Sequence, residues 1–143
     1  MIKTPLNILL AEDDKDYRFF FEQALKDIPI ATHLTAVENG EELMKYLIEH
    51  ALHLPDILFM DLSMHRKSGF ECLHEIRNNE VLKMLNVVVL TISLPKNLIY
   101  EQDMMEVLNR MGIQDYIRKP DDFELLKKAV HHALNKTVEQ NKL

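Results

Sequence analysis

Cysteine is nearly absent: Cys72 stands alone, so no disulfide can close within the chain and nothing points to an oxidising compartment. A lone thiol of this kind reads as a buried core residue. Glycine is scarce too. The three glycines, Gly40, Gly69 and Gly112, form neither a G-x-G-x-x-G nor a P-loop pattern, which argues against a glycine-rich nucleotide cradle. No apolar stretch approaches the roughly 18 residues of a membrane span. The opening Met1-Ile2-Lys3-Thr4-Pro5 lacks the apolar segment and small-residue cleavage site of a secretory leader. Nor is there a run of five basic residues, and 17 Lys+Arg against 23 Asp+Glu leave a formal charge of −6. Nucleic acid and anionic membranes are therefore poor partners, and a cytoplasmic location is the expectation.

What is present is an ordinary globular composition. A chain of 143 residues with 47% hydrophobic content suits one domain around one core. We expect that domain to span residues 1–143, with a core from about 5 to 136 and a polar tail at 137–143. Four short apolar runs, Leu6 to Ala11, Asp56 to Met60, Asn86 to Leu90 and Tyr116 to Ile117, read as strands buried on both faces. A weaker run, His33 to Val37, ends at the turn pair Asn39-Gly40.

Helical periodicity fills the gaps. Tyr17, Phe20, Phe21, Ala24, Leu25 and Ile28 form one apolar stripe, with Asp14 or Asp16 available as its cap. Leu43, Met44, Leu47, Ile48 and Ala51 form a second, and Phe70, Leu73 and Ile76 a third. Met104, Val107, Leu108 and Met111 form a fourth that stops at Gly112, a suitable left-handed cap. The fifth, Leu126, Ala129, Val130, Ala133 and Leu134, opens behind Pro120, with Asp121 and Glu124 spaced as a capping box. Alternating strands and helices predict an α/β fold with a parallel sheet covered on both faces.

The polar residues fall at the strand ends: Glu12-Asp13-Asp14 after the first run, Asp61 after the third, Thr91 after the fourth and Lys119-Pro120 after the fifth. In an open parallel sheet, ligands bind beyond the carboxyl ends of the strands. Glu12, Asp13 and Asp61 bring three negative charges to that edge and Lys119 returns one. A hard divalent cation would balance the surplus, and oxygen ligands with room for water favour Mg²⁺. Such a cluster is arranged for attack by Asp61 on phosphorus, giving an aspartyl phosphate, with Lys119 and the Thr91 hydroxyl on the other oxygens.

These pieces resemble the receiver domain of two-component response regulators. The resemblance is carried by Ile8-Leu9-Leu10-Ala11-Glu12-Asp13-Asp14, Pro55-Asp56-Ile57-Leu58-Phe59-Met60-Asp61-Leu62, Ser68-Gly69-Phe70-Glu71, Val87-Val88-Val89-Leu90-Thr91 and Tyr116-Ile117-Arg118-Lys119-Pro120. It implies a doubly wound, flavodoxin-like sheet of strand order 2-1-3-4-5. It also implies Asp61 as phosphoacceptor, with Asp13 as direct metal ligand, Glu12 as its partner and the Ser63 backbone carbonyl completing the shell. Thr91 would be the switch hydroxyl, Lys119 the phosphate-binding lysine and Tyr116 the aromatic rotamer switch.

By the same resemblance a sensor histidine kinase or phosphotransfer protein donates the phosphoryl group. The face of helix four, strand five and helix five then reads differently to a downstream protein target. A homodimer through that face is compatible with the fold, and with no output domain after helix five, output is expected to be protein contact. Asp16 and the long loop after Thr91 are similar to stand-alone receivers paired with photoreceptor or hybrid kinases.

Several residues depart from the family pattern. His65 and Ser68 replace a common proline and aspartate in the loop after Asp61, so its rigidity and turn chemistry are expected to differ. Ile92 stands where a small residue is preferred and is expected to slow attack by donors and water. The segment to Lys119 is longer than usual, with Ser93-Leu94-Pro95-Lys96-Asn97 as the extra loop, beside the expected output face. Two rival readings follow. One is a degenerate receiver acting as a phosphorylation-independent docking module. The other is a magnesium phosphohydrolase, which usually carries an acid where Ser63 stands.

Overall fold

Runs of Val, Ile and Leu with apolar residues at every position form the central strands, because a strand covered on both faces has no solvent side to make polar. The computed structural model describes residues 5–91 and 98–141. In chain order its elements are β1 (Leu6–Ala11), α1 (Lys15–Lys26), β2 (Thr32–Val37), α2 (Gly40–Glu49), β3 (Ile57–Asp61), α3 (Gly69–Arg77), β4 (Val87–Thr91), α4 (Leu98–Arg110), β5 (Asp115–Arg118) and α5 (Phe123–Asn141). The strands make one sheet of order β2-β1-β3-β4-β5, and every neighbouring pair is parallel. Ile92 and the expected extra loop at 93–97 lie outside the described residues.

The period-two alternation of the strands divides the core into two layers. Leu9, Leu58, Met60, Val87 and Val89 meet Leu43, Leu47, Leu73, Ile76 and Leu108 from α2, α3 and α4. Ile8, Leu10, Phe59, Val88 and Leu90 point the other way, onto Phe21, Leu25, Leu126, Val130 and Leu134 of α1 and α5. Each large side chain so buried contributes roughly 1.5–3 kcal/mol. Ile48 and Val107, members of the expected apolar stripes, sit at the stripe margins and face solvent.

The helix starts are set by short polar side chains. Asp14 caps α1 by accepting from the Asp16 and Tyr17 amides, Asn39 caps α2, and Ser68 caps α3. At the other end of α4, Gly112 takes φ +73°, a left-handed conformation that glycine adopts without steric cost. The guanidinium of Arg77 then ties that end to the segment before β4. It donates to Met111 O at 2.7 Å, Gly112 O at 3.1 Å, Lys83 O at 3.1 Å and Leu85 O at 2.8 Å.

Three expectations need correction. β5 is an edge strand in which only Ile117 is buried, because no strand covers its outer side. The cap of α5 is Asp122 rather than Asp121: the helix begins at Phe123, and Asp122 Oδ1 accepts from the Leu125 amide at 3.0 Å. The polar tail from residue 137 is instead helix through Asn141, and Thr137 is buried. Its hydroxyl donates to Ala133 O at 3.1 Å and accepts from Asn86 Nδ2 at 3.1 Å, while Gln114 Nε2 donates to the same Ala133 carbonyl at 3.1 Å. Asn86 and Gln114, just ahead of β4 and β5, thus meet a hydroxyl that composition alone assigns to solvent.

Removing that hydroxyl leaves Asn86 short of a buried acceptor. Thr137→Ala is therefore expected to lower stability by about 1–2 kcal/mol in urea denaturation, whereas the exposed Glu139→Ala changes it by less than about 0.5 kcal/mol.

Candidate functional site

The register of the sheet brings the polar strand ends to one level. Ala11 pairs with Met60, so Glu12 and Asp61 leave their strands side by side. Asp61 pairs with Leu90 and Thr91 with Arg118, which places Thr91 and Lys119 at the next step along the same edge. The Lys119 amide donates to Thr91 O at 2.6 Å and fixes the start of the loop after β5.

At this edge the side chains of Glu12, Asp61 and Lys119 are all nearly closed to solvent, and Thr91 is buried beside them. Lys119 Nζ lies 2.5 Å from Glu12 Oε1 and 3.1 Å from Asp61 Oδ2. The other Asp61 oxygen accepts from the Ser63 amide at 3.1 Å. Glu12 Oε2 accepts from the Asp14 amide at 3.1 Å, and its backbone carbonyl accepts from Arg18 at 2.8 Å. Half-buried Asp13 completes the group: carboxylate oxygens of Glu12, Asp13 and Asp61 lie within 4.8 Å of one another. Three hard oxygen donors at this spacing, with one ammonium among them, can hold a divalent metal ion.

The loops around Asp61 close tightly. A Cβ on Gly69 would stand 2.4 Å from Asp61 O, and the Gly69 amide donates to Leu62 O at 2.9 Å. Any larger residue would push the backbone beneath Asp61 out of place. A Cβ on Gly40 would likewise strike Lys67 O, at 2.1 Å. Cys72, as expected of a core thiol, is buried, and burial pushes its pKa up to about 12, so it stays unionised.

Every expected site residue lies in the described structure. Glu12, Asp13, Asp61, Thr91 and Lys119 converge. Tyr116 stands on β5, half-buried against the layer of α2, α3 and α4. Ser63 is represented by its amide contact to Asp61. His65 is an exposed loop residue whose Nε2 stands 3.6 Å from Asp13 Oδ2. The sequence reading placed Tyr17 only in a core stripe and did not single out Arg18. Both belong to the rim of the site, and a polar tip on an otherwise apolar stripe, four residues past Asp13, was the available signal for Tyr17.

Burial and neighbouring charge both act on the ionisable groups of the site. Burial, and next to it the charge of Asp61, raise the Glu12 pKa to about 7 even though Lys119 and the Asp14 amide pull it down. Burial also works against the Lys119 ammonium, but Glu12 and Asp61 outweigh it and hold its pKa above the ordinary lysine value. A carboxyl raised on folding binds its proton more tightly in the native state. Its contribution is therefore fully present below the ordinary 4.5 and is lost as pH climbs through about 7. In metal-free buffer Glu12→Gln, which mimics the protonated form, should gain about 1–3 kcal/mol relative to the parent protein between pH 5 and pH 8. Urea unfolding at both pH values checks this, and a difference independent of pH would show that Glu12 is ionised throughout.

Comparison with known proteins agrees with this arrangement. Residues 8–131 match the family model of the response regulator receiver domain. The response regulator Rcp1 of Synechocystis is 29% identical over 130 residues, covering 88% of this chain and 84% of Rcp1. The probable C4-dicarboxylate response regulator DctR of Bacillus subtilis is 28% identical over 130 residues and 91% of this chain, which spans only 53% of DctR. Among solved structures, the phosphorylated cyanobacterial phytochrome response regulator RcpA aligns with a TM-score of 0.75 at 29% identity over 91% of each chain. The Mn²⁺-bound form of Rcp1 aligns with a TM-score of 0.74 at 30% identity, over 90% of this chain and 91% of that one. Since the match runs from β1 into α5 and takes in every strand end described above, the chain belongs to the response regulator receiver domain family.

Proposed function

We propose that this receiver is a phosphoacceptor switch that takes a phosphoryl group on Asp61 in a Mg²⁺-dependent reaction. The observation that carries the proposal is the Lys119 ammonium shared between Glu12 and Asp61 in a pocket whose acids outnumber its bases. Support comes also from relatives solved in phosphorylated and in Mn²⁺-bound forms. The donor set fits a hard cation, and Glu12, Asp13, Asp61 and the backbone carbonyl of Ser63 would hold it. When bound, Mg²⁺ supplies positive charge to the oxygens of the transferring group.

The chain's own residues divide the remaining work. An Asp61 carboxylate oxygen attacks phosphorus on a phosphohistidine of a sensor histidine kinase or phosphotransfer protein. The P–O bond forms as the P–N bond breaks, and the leaving imidazole keeps the electron pair and takes a proton from solvent. Lys119, already 3.1 Å from Asp61, turns its ammonium to a phosphoryl oxygen, and the Thr91 hydroxyl donates to another. Thr91 ends β4, so drawing its side chain inward changes the packing available to Tyr116 on the neighbouring strand β5. The surface of α4, β5 and α5 then presents a different face to a downstream protein target.

No step requires turnover of a small substrate, so the chain acts as a switch with at most self-phosphorylation and self-dephosphorylation. A cytoplasmic setting belongs to the same proposal. Among the described residues no helix is long and apolar enough to cross a membrane.

Incubation with Mg²⁺ and phosphoramidate, followed by intact mass measurement, is the direct test. The protein should gain one phosphoryl group, and the gain should vanish in Asp61→Asn and in excess chelator. Lys119→Ala should slow uptake by about a hundredfold, the scale of losing one donor to developing charge. An unchanged mass in the parent protein under these conditions would refute the proposal.

A further inference from the structure

Lys119 must be held from more than the carboxylate side. A lysine has four rotatable side-chain bonds and a compact, strongly hydrated head, so attraction to Glu12 and Asp61 alone leaves it free to withdraw toward water. The side chain that occupies the outer flank is Tyr17. Lys119 Nζ stands over its ring, 4.9 Å from the centroid, and the Tyr17 hydroxyl donates to Pro120 O at 3.1 Å, the carbonyl directly after Lys119.

The topology gives this contact a purpose. β1, which precedes the acidic loop, and β5, which precedes Lys119, are separated in the sheet by β3 and β4. No backbone pairing joins the two strands whose loops must cooperate. Tyr17 lies in the first turn of α1, where its amide donates to Asp14 Oδ1 at 3.3 Å, just past the acid pair. One side chain therefore links the acidic loop to the lysine loop. It is backed by Phe20 at 5.7 Å between ring centroids, and Phe20 in turn by Phe123, the first residue of α5, at 5.8 Å. Both ring pairs meet edge to face, the favoured arrangement for aromatic side chains. Burial, reinforced by the charges of Glu12, Asp121 and Asp61, raises the Tyr17 pKa, so the hydroxyl remains a donor at any working pH.

We propose that Tyr17 is the positioning residue for Lys119, its ring flanking the ammonium and its hydroxyl fixing the Lys119-Pro120 backbone, so that the charge is already in place when an anionic phosphoryl group arrives. The role of Lys119 in that step rests on the receiver reading above; the contact itself does not.

Two measurements separate the contact from the function. By NMR, the ε-methylene protons of Lys119, assigned by their loss in Lys119→Ala, should be shifted upfield by the ring in the parent protein and in Tyr17→Phe, and return to ordinary lysine values in Tyr17→Leu. With Mg²⁺ and phosphoramidate, Tyr17→Leu should take up phosphoryl about fivefold more slowly, the scale of one cation–π contact, and Tyr17→Phe should recover most of that loss. In a Lys119→Ala background, Tyr17→Leu should cost nothing more, since there is no ammonium left to position.

An unshifted Lys119 in the parent protein overturns the proposal whether or not Tyr17→Leu folds. An equal cost of Tyr17→Leu in both backgrounds also overturns it, because that marks a general packing role. If the parent protein takes up no phosphoryl group at all, the receiver chemistry fails, and the Lys119 shift alone then decides whether Tyr17 holds the ammonium.

Discussion

An ammonium lodged between two carboxylates in a nearly dry pocket is tolerable only while each charge keeps its partner. The cost of desolvating any one of them exceeds what a single exposed ion pair returns. Lys119, Glu12 and Asp61 meet this condition imperfectly, since the half-buried Asp13 adds a third carboxylate that one lysine cannot neutralise. Burial, with the charge of Asp61 beside it, holds the Glu12 pKa up at about 7. The surrounding structure is organised around holding this arrangement. Parallel register levels the strand ends, Gly69 lets the backbone close beneath Asp61, and the Lys119 amide is fastened to the end of β4.

Much of this was legible in the sequence because both signals involved are coarse. A strand covered on both faces must be apolar throughout, so β1, β3 and β4 announce themselves, and the polar residue that ends each run marks the edge where function collects. The bounds slip by one because pairing depends on backbone groups rather than on polarity: Asp61 and Thr91 are the last residues of β3 and β4. The convergence of Glu12, Asp13, Asp61, Thr91 and Lys119 follows from strand order and register together, and the resemblance to receivers supplied the order.

The features that escaped share one physical property: each depends on a partner distant in sequence. Thr137 is polar and lies in a polar stretch, yet it is buried, because Asn86 and Gln114, just ahead of β4 and β5, meet it. Tyr17 fits an apolar stripe equally well whether its hydroxyl reaches water or Pro120, 103 residues away. Arg77 looks like any basic residue closing a helix, and its guanidinium nevertheless collects four carbonyls from two segments. The exposed outer side of β5 is likewise a matter of strand order, not of its own composition.

The loop after Asp61 shows how departures from the family pattern can be absorbed locally. Ser68, in place of the common aspartate, becomes the cap of α3 and accepts from the Glu71 amide at 3.2 Å; serine and aspartate are nearly equal in that role. Where proline would stiffen the chain, His65, Arg66 and Lys67 instead face Asp13 in the β1–α1 loop, Glu41 of α2 and Glu75 of α3. Arg66 adopts φ 68°, which costs a non-glycine residue about 1–2 kcal/mol. Exposed ion pairs contribute only about 0–1 kcal/mol each, so they do not by themselves determine the loop's path. The close approach of Lys67 to Gly40, and of Gly69 to Asp61, leaves the chain little room to take another. Shape holds the loop, and the Arg66 and Lys67 pairs set which charges line it.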